Sequence, residues 1–178
     1  MNYPNIPAIT RTYLTKMRAM TGGMGAGAEC MAVGGMIGVL DPPLAMNADS
    51  TAANLDAMDM PAIGSYERWQ CTWWAASRRA MTGKPVDPYM GHGYMWSDSA
   101  RKFGYPIDKH PRPGDVMVFQ TGVLGASGVY GHVAIVEEVR EDGGIVISES
   151  SASTARVTLR TLTSQQLEAN HDGIDFIH

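Results

Sequence analysis

The hydrophobic positions of the chain follow a helical pattern first and an alternating pattern later. From Cys71 to Met81 the Ala, Trp and Arg residues stand in a helix-compatible order that ends before Gly83, a residue suited to a helix C-terminus. A second helix is predicted from about Ser97 to Phe103, because Gly104 and a proline follow it. The first helix therefore begins at or just before Cys71.

Strand-like runs follow the second helix, all of them after the turn PRPGD. Between two of them, the residues EDGG predict a hairpin turn in which glycine supplies the positive φ. Because the helices precede the strands, the sequence predicts an α+β fold with an antiparallel sheet. The runs are Val116 to Gln120, His132 to Val139, Ile145 to Glu149, Arg156 to Leu162 and the terminal IDFIH.

The chain changes character near residue 61. Residues 1–59 are predicted to be a Met-, Gly- and Ala-rich arm and linker, and residues 60–178 a folded domain. The arm includes the segment from Thr21 to Pro43, which has no alternating pattern and only a weak helical one. The simplest interpretation is a flexible arm or one that binds a partner protein.

Two membrane-related interpretations of the arm are weak. Gly22 to Leu40 has about the length of a membrane span, but its glycines and Glu29 oppose one, since a carboxylate at bilayer depth is costly. Lys16 and Arg18 precede this apolar stretch but lie far from the start, so no signal peptide is evident.

Composition describes an ordinary globular chain. Of 178 residues, 44% are hydrophobic and 18% charged, which is enough apolar material for a core. The net charge of −4 and the absence of a Lys/Arg run give no electrostatic footprint for nucleic acid or for an anionic membrane. We therefore expect neither as a partner.

Two cysteines, Cys30 and Cys71, allow one disulfide at most and are too few for a Cys-rich zinc site. A disulfide between them would consume the thiol of Cys71. If it stays free, this thiol lies where the helix dipole and unpaired backbone N–H groups favour the thiolate. The alternative interpretation, a small buried hydrophobe, is the commoner fate of a free cysteine.

A base and an acidic residue stand on neighbouring strand-like runs. His132 opens the run HVAIVEEV, where alternation places it on one face with Ala134 and Val136. Glu149 ends an apolar row in IVISESS and needs a partner if it is buried. A hairpin would bring these two side chains near each other, giving a thiol, a base and a group that orients the base. Separately, His132 could be a core histidine and Glu149 a solvent-exposed strand end.

Four motifs in order, QCTWWAASR, PRPGDVMVF, YGHVAIVEEV and GGIVISESS, resemble the CHAP family of cysteine- and histidine-dependent amidohydrolases/peptidases of bacterial and phage cell-wall enzymes. The resemblance spans roughly residues 60–178. It implies a papain-like fold with Cys71 as nucleophile, His132 as general base and Glu149 as the group that orients the base. It places Gln70 near the oxyanion.

The resemblance also implies a substrate and a location. The substrate would be peptidoglycan, cleaved at an amide bond by an endopeptidase or an N-acetylmuramoyl-L-alanine amidase, as in phage endolysins and bacterial autolytic enzymes. The enzyme would act outside the cytoplasm, in the extracellular space or the cell wall. Two alternatives stay open: a non-catalytic wall-binding or structural module on the same fold, and an acyltransferase that uses the same residues.

One position departs from the family pattern. Many members have asparagine two residues after the acidic group, where this chain has Ser151, which offers a hydroxyl but no amide. Some phage members bind calcium through an Asp-rich loop, but the residues before Cys71 hold too few carboxylates at that spacing. We expect no required metal and no cofactor.

Several other side chains are candidates for the cleft or the surface. His92 lies in a glycine-flanked loop and could line the cleft, and it is a weaker alternative base than His132. Trp73 and Trp74 are adjacent on one helix and so face different directions. We expect at least one in the core and the other, Trp74, on the floor of a groove. Arg78 and Arg79 are expected on a solvated face.

Overall fold

The computed structural model describes residues 63–178. The arm predicted for residues 1–59, its possible membrane span and Cys30 lie outside the described residues. Within the described part, no helix is long and apolar enough to cross a membrane.

Residues 63–178 form three α-helices and three short 3-10 turns, and two of the helices precede all the strands. The first helix begins at the cysteine, as the sequence predicted, and the second begins one residue earlier than expected. The third was not predicted; Thr163 caps its N-terminus through a reciprocal pair of hydrogen bonds with Gln166. The helices are α1 (Cys71–Met81), α2 (Trp96–Phe103) and α3 (Ser164–Ala169), and the 3-10 turns are Gly93–Met95, Val123–Gly125 and His171–Gly173.

In the described part of the chain, six strands form one sheet in which every neighbouring pair is antiparallel. Their order across the sheet is β1-β6-β2-β3-β4-β5. This arrangement confirms the predicted α+β class; the short first strand is an addition to the predicted set. The strands are β1 (Ile107–Asp108), β2 (Val116–Phe119), β3 (His132–Val139), β4 (Ile145–Ser151), β5 (Arg156–Leu162) and β6 (Ile174–Ile177).

Both faces of the sheet are covered. Alternation along β3 assigns Val133 and Ile135 to the face that packs against α1, and Ala134 and Val136 to the opposite face. The first cluster also contains Trp73, Trp74, Trp96 and Val118; the second also contains Phe119, Ile147, Leu162 and Phe176.

A β-bulge in β3 decides which side chains share a face with the start of that strand. Val136 pairs with Ile147, but Glu138 pairs with Val146, so one extra residue stands between the two pairs. If the pairing of Glu138 with Val146 continued along β3 without a bulge, Val136 would lie opposite Ser148 instead of Ile147. The bulge therefore aligns the His132 face with the face of Ile147 and Glu149, because a shift of one residue exchanges the two faces.

The bulged residue, Glu137, joins the sheet to α1. Arg78 donates to it through two nitrogens, at 3.0 Å and 2.8 Å, and the hydroxyl of Ser148 donates to it at 2.6 Å. The indole of Trp74 completes the chain by donating to Ser148 at 2.8 Å. These side chains fix α1, and with it Cys71, over β3 and β4.

The arginines of α1 correct the expectation of a solvated face. The Arg78 side chain is only 12% exposed in its pair with Glu137. Arg79 is buried and donates to the backbone carbonyls of Lys84 and Gly114. Both arginines are long enough to reach hydrogen-bond acceptors in neighbouring segments. Because their charged groups are paired there, they can be buried.

Candidate active site

The chain turns sharply into α1 just before the cysteine. Trp69 adopts a left-handed conformation with φ of 71°, which is unusual for a residue other than glycine. Its carbonyl accepts a hydrogen bond from the Ser150 hydroxyl at 2.9 Å, which ties the turn to β4. Gln70 then stands in an extended conformation as the N-cap, and Cys71 is the first residue of the helix. The helix therefore starts with its free N–H groups beside the thiol.

Two glycines allow His132 to sit against a neighbouring turn. A β-carbon added to Gly93 would lie 2.8–2.9 Å from backbone atoms of His132, and one added to Gly131 would lie 2.7 Å from atoms of Tyr94 and from the carbonyl of Phe119. Gly131 also has a φ of 61°. The 3-10 turn Gly93–Met95 can approach the start of β3 this closely because both positions lack side chains.

His132 connects the thiol to the carboxylate. Its Nε2 lies 2.8 Å from Oε2 of Glu149. Cys71 is the other group that interacts with the ring, since the thiol and the imidazole shift the pKa of each other. Because Nε2 is occupied by Glu149, Nδ1 is the ring nitrogen that remains for the thiol. The side chains of His132 and Glu149 are 17% and 16% exposed, so the pair is mostly shielded from water while one edge stays accessible.

The surroundings favour an ion pair between the thiol and the imidazole. Burial, the largest single effect, opposes ionisation of Cys71, but the hydrogen bond and charge of His132 and the backbone N–H groups of Val133 and Thr72 together lower its pKa. Burial also opposes the charged imidazole, but hydrogen bonds and charges from Cys71 and Glu149 raise the pKa of His132 to about 9. Both shifts favour the thiolate–imidazolium form of the pair over the neutral form.

Glu149 is held ionised by two cations. Burial alone would raise the pKa of its carboxyl, but the hydrogen bonds and charges of His132 and Arg160 lower it. Arg160 is not among the site residues predicted from the sequence. Its signal is the alternation of β5, which places this arginine on the same face as buried Leu162, where a cation needs a partner.

The site opens into a cleft of about 1180 Å³. Its lining includes the sequence-predicted residues Cys71, His132, Glu149, Gln70, Ser151 and His92. The amide of Gln70 donates to Glu67 at 3.2 Å on the exposed rim. The ring of His92 lies 4.9 Å from that of Tyr130, between centroids, so an aromatic group borders the cleft.

Two expected positions differ in the structure. Trp74 does not line the cleft. It is 1% exposed, and its indole N–H donates to Ser148 in the core. Both tryptophans of α1 are buried, because the helix lies against the sheet at its first turns. The hydroxyl of Ser151 pairs with that of Ser153 at 2.8 Å in the turn after β4, rather than with His132.

Metal-ligating side chains do not cluster in the described residues: no group of three or more His, Cys, Asp or Glu side chains there could hold a metal ion.

Comparison with known proteins places this geometry in a family. The sequence model of the CHAP domain matches residues 62–151. The chain belongs to the CHAP domain family. The fold agrees: a crystal structure of N-acetylmuramoyl-L-alanine amidase from Staphylococcus aureus is 31% identical with a TM-score of 0.60, covering 69% of this chain and 33% of that one. The resemblance seen in the sequence motifs is thereby confirmed.

Named relatives of this CHAP domain are larger proteins. N-acetylmuramoyl-L-alanine amidase sle1 of Staphylococcus haemolyticus is 36% identical over 115 residues, which cover 64% of this chain and 32% of that protein. Probable autolysin SsaALP of Staphylococcus aureus is 36% identical over 100 residues, which cover 56% of this chain and 36% of that protein. The matches thus span about a third of these relatives.

Proposed function

We propose that this CHAP domain is a peptidoglycan hydrolase that cleaves an amide bond, with Cys71 as nucleophile, His132 as base and acid, and Glu149 as the residue that orients His132. The observation that supports it best is the juxtaposition of thiol, imidazole and carboxylate at the wall of an open cleft, where His132 bonds to Glu149 and lowers the pKa of Cys71. The names of the relatives, amidases and an autolysin, support peptidoglycan as substrate.

In the first half of the reaction, the Cys71 thiolate attacks the carbonyl carbon of the scissile amide. The tetrahedral intermediate carries its negative charge on the former carbonyl oxygen. His132, already an imidazolium, gives its proton to the amide nitrogen as the C–N bond breaks, and the amine leaves. Cys71 then holds the acyl group as a thioester, and His132 is neutral.

The start of α1 is suited to hold the oxyanion. Backbone N–H groups in the first turn of a helix have no partner within the helix and lie at its positive end. Gln70 stands directly before them, and its amide would reach the oxyanion by exchanging its exposed contact with Glu67. Such fixed donors act on the charge that develops in the transition state.

In the second half, neutral His132 removes a proton from a water molecule as the water attacks the thioester carbon. The C–S bond breaks, the carboxylic acid product leaves, and the thiolate–imidazolium pair is restored. Glu149 keeps the ring in one orientation through both halves and stabilises its charged form, as the third member of such sites does.

The names of the relatives favour one of the two candidate scissile bonds. Both sle1 and the crystallised protein are named N-acetylmuramoyl-L-alanine amidases, so we propose first the amide between muramic acid and L-alanine. Cleavage within the peptide, by an endopeptidase, is the alternative, because both reactions use the same groups and differ in the fit of the cleft. Either substrate places the activity at the cell wall, and the predicted arm before residue 60 would bind any partner protein.

The test is hydrolysis of purified cell walls by the full chain. We expect the turbidity of the walls to fall with the wild type and to stay constant with Cys71→Ala. His171→Ala is the matched control for His132→Ala, because His171 is exposed and its side chain contacts Asp172, away from Cys71. Circular dichroism checks that each variant is folded.

Mass spectrometry of the released fragments identifies the bond. Free peptides with an L-alanine amino terminus indicate the amidase, whereas new termini inside the peptide, with L-alanine still linked to the glycan strand, indicate the endopeptidase. Wall binding without fragments would replace the proposal by a non-catalytic module. Products that incorporate an added amine would indicate an acyltransferase.

A further inference from the structure

Arg160 occupies the strand next to Glu149. In β5 it pairs with Ile147, and the alternation of β4 places Glu149 on the same face of the sheet as Ile147. Its side chain is 31% exposed at the wall of the cleft. This exposure is too low for a freely solvated arginine, so its contacts define its position.

The guanidinium of Arg160 makes two hydrogen bonds of equal length. One nitrogen donates to Oε2 of Glu149 at 2.8 Å, and the other donates to the carbonyl of Leu124 at 2.8 Å. The guanidinium carbon also lies 5.4 Å from the centre of the Phe119 ring. Because the guanidinium is planar and rigid, two bonds and a ring contact fix its orientation as well as its position.

The carboxylate oxygen that Arg160 contacts is the one that contacts His132. Oε2 of Glu149 lies 2.8 Å from Nε2 of His132 and 2.8 Å from the guanidinium nitrogen. Arg160 therefore holds the rotamer of Glu149 from one side and shares its negative charge with the imidazole. The hydroxyl of Ser151, at the end of the same strand as Glu149, bonds to that of Ser153.

The second bond of Arg160 reaches the cleft wall. Leu124 has a left-handed backbone, with φ of 50°, between Gly122 and Gly125 at φ of 78° and 85°. A residue other than glycine in this conformation needs support from its surroundings. The carbonyl of Leu124 obtains it from Arg160, so one side chain joins the cleft wall to Glu149.

We propose that Arg160 is a positioning residue that orients Glu149, and through it His132, and that it limits how strongly the carboxylate attracts the imidazolium. This inference rests on the proposed function, since it assigns Arg160 a role in the same reaction. The competing explanation is that Arg160 has only a structural role and joins β5 to the loop at Leu124.

The two explanations predict different pH profiles. The charged and titratable groups around His132 are Cys71 from α1, Glu149 from β4 and Arg160 from β5. Tyr130 and His92 border the cleft nearby, and Tyr94 lies beside Gly131 and the His92 ring. Removing Arg160 takes away a cation near His132 and frees Oε2 for the imidazolium. The imidazolium should then persist to higher pH, so the fall of kcat at alkaline pH should move to higher pH. If Arg160 only joined β5 to the loop, its loss would leave the pH of this fall unchanged.

The experiment compares Arg160→Gln, Arg160→Lys and the control Arg156→Gln in the full chain. Arg156 is an exposed arginine at the start of the same strand, outside the cleft lining. We expect Arg160→Gln to lower kcat for wall hydrolysis about ten- to hundredfold with little change in KM, as for loss of one charge-assisted hydrogen bond. Arg160→Lys should recover part of this loss, and Arg156→Gln should match the wild type.

The second readout is the pH at which the His132 imidazolium loses its proton, followed by NMR of the ring against pH. In Arg160→Gln this transition, and with it the alkaline fall of kcat, should move to higher pH. An unchanged kcat, or a lowered kcat with an unmoved His132 transition, would overturn the proposal. Should the wild type fail to hydrolyse walls, the proposed function is wrong, while the His132 titration still decides whether Arg160 acts on the imidazole.

Discussion

At the scale of single residues, the proposed mechanism depends on a proton shared between Cys71 and His132. The lowered pKa of Cys71 and the pKa of His132 near 9 enclose a pH range in which thiolate and imidazolium coexist. Below this range the thiol is protonated and stops being a nucleophile. Above it the imidazole is neutral and cannot protonate the leaving amine.

Wall hydrolysis should therefore show a plateau at neutral pH and a fall as the pH rises through about 9. Near pH 7 we expect Cys71 to react with iodoacetamide faster than Cys30, because its thiolate is already formed. His132→Ala should slow this reaction. Equal labelling of both cysteines, unaffected by the histidine substitution, would contradict an activated pair; peptide mass spectrometry resolves the two sites.

The carboxylate and the hydroxyl at the end of β4 should contribute unequally. Glu149→Gln removes the charge that stabilises the imidazolium, so we expect kcat to fall on the order of 100-fold or more while the fold is kept. Ser151→Ala should change kcat by less than about threefold, because its hydroxyl bonds to Ser153 at the surface. Ser151→Asn should be tolerated. An inactive Ser151→Ala beside a nearly wild-type Glu149→Gln would reverse the assignment.

At the scale of elements, the bulge in β3 and the helix α1 are held by the same side chains. Glu137 stands at the bulge and pairs with Arg78 of α1, and their side chains are 7% and 12% exposed. Ser148 and Trp74 extend the contact into the core. The register that brings Glu149 to His132 and the position of Cys71 therefore depend on one polar network.

Glu137→Ala should destabilise the domain strongly. Breaking one partner of a buried pair costs about 3–5 kcal/mol, because the other charge loses its compensation. Glu138→Ala is the matched control, since the neighbouring carboxylate is 60% exposed and should contribute little. Thermal unfolding followed by circular dichroism measures both. Equal melting temperatures for the two variants would show that the network does not hold the helix.

At the scale of the whole molecule, residues 63–178 contain two core clusters, one on each face of a single sheet. The site lies where the start of α1, the start of β3 and the end of β4 converge at one edge of the clusters. This arrangement has its own core and its own cleft, which is what an independently folding domain needs.

A chain that lacks the residues before about Asp59 should consequently fold and keep a reactive Cys71. We expect a cooperative thermal transition and alkylation of Cys71 at the full-length rate, because the contacts described for Cys71 and His132 come from residues within 63–178. An insoluble truncation, or one that melts without cooperativity, would place the arm in the core and move the domain boundary.

The sequence by itself determined the local features of the site. A glycine-terminated helical pattern placed Cys71 at a helix start, alternation placed His132 at the head of a strand, and an apolar row ending in Glu149 indicated a buried acid. The four motifs, in their order along the chain, indicated the CHAP family. Each of these signals is carried by residues close together along the chain, which is why they could be predicted.

The tertiary structure decided the rest, because the remaining features depend on pairs far apart in sequence. The bulge at Glu137 sets which face of β3 meets Glu149, and its register depends on partners in both β4 and α1. Trp74 is buried because the sheet lies under it, and Arg160 reaches Glu149 because β5 pairs with β4. Propensity and alternation describe one strand at a time, whereas register and contact arise only when strands pair.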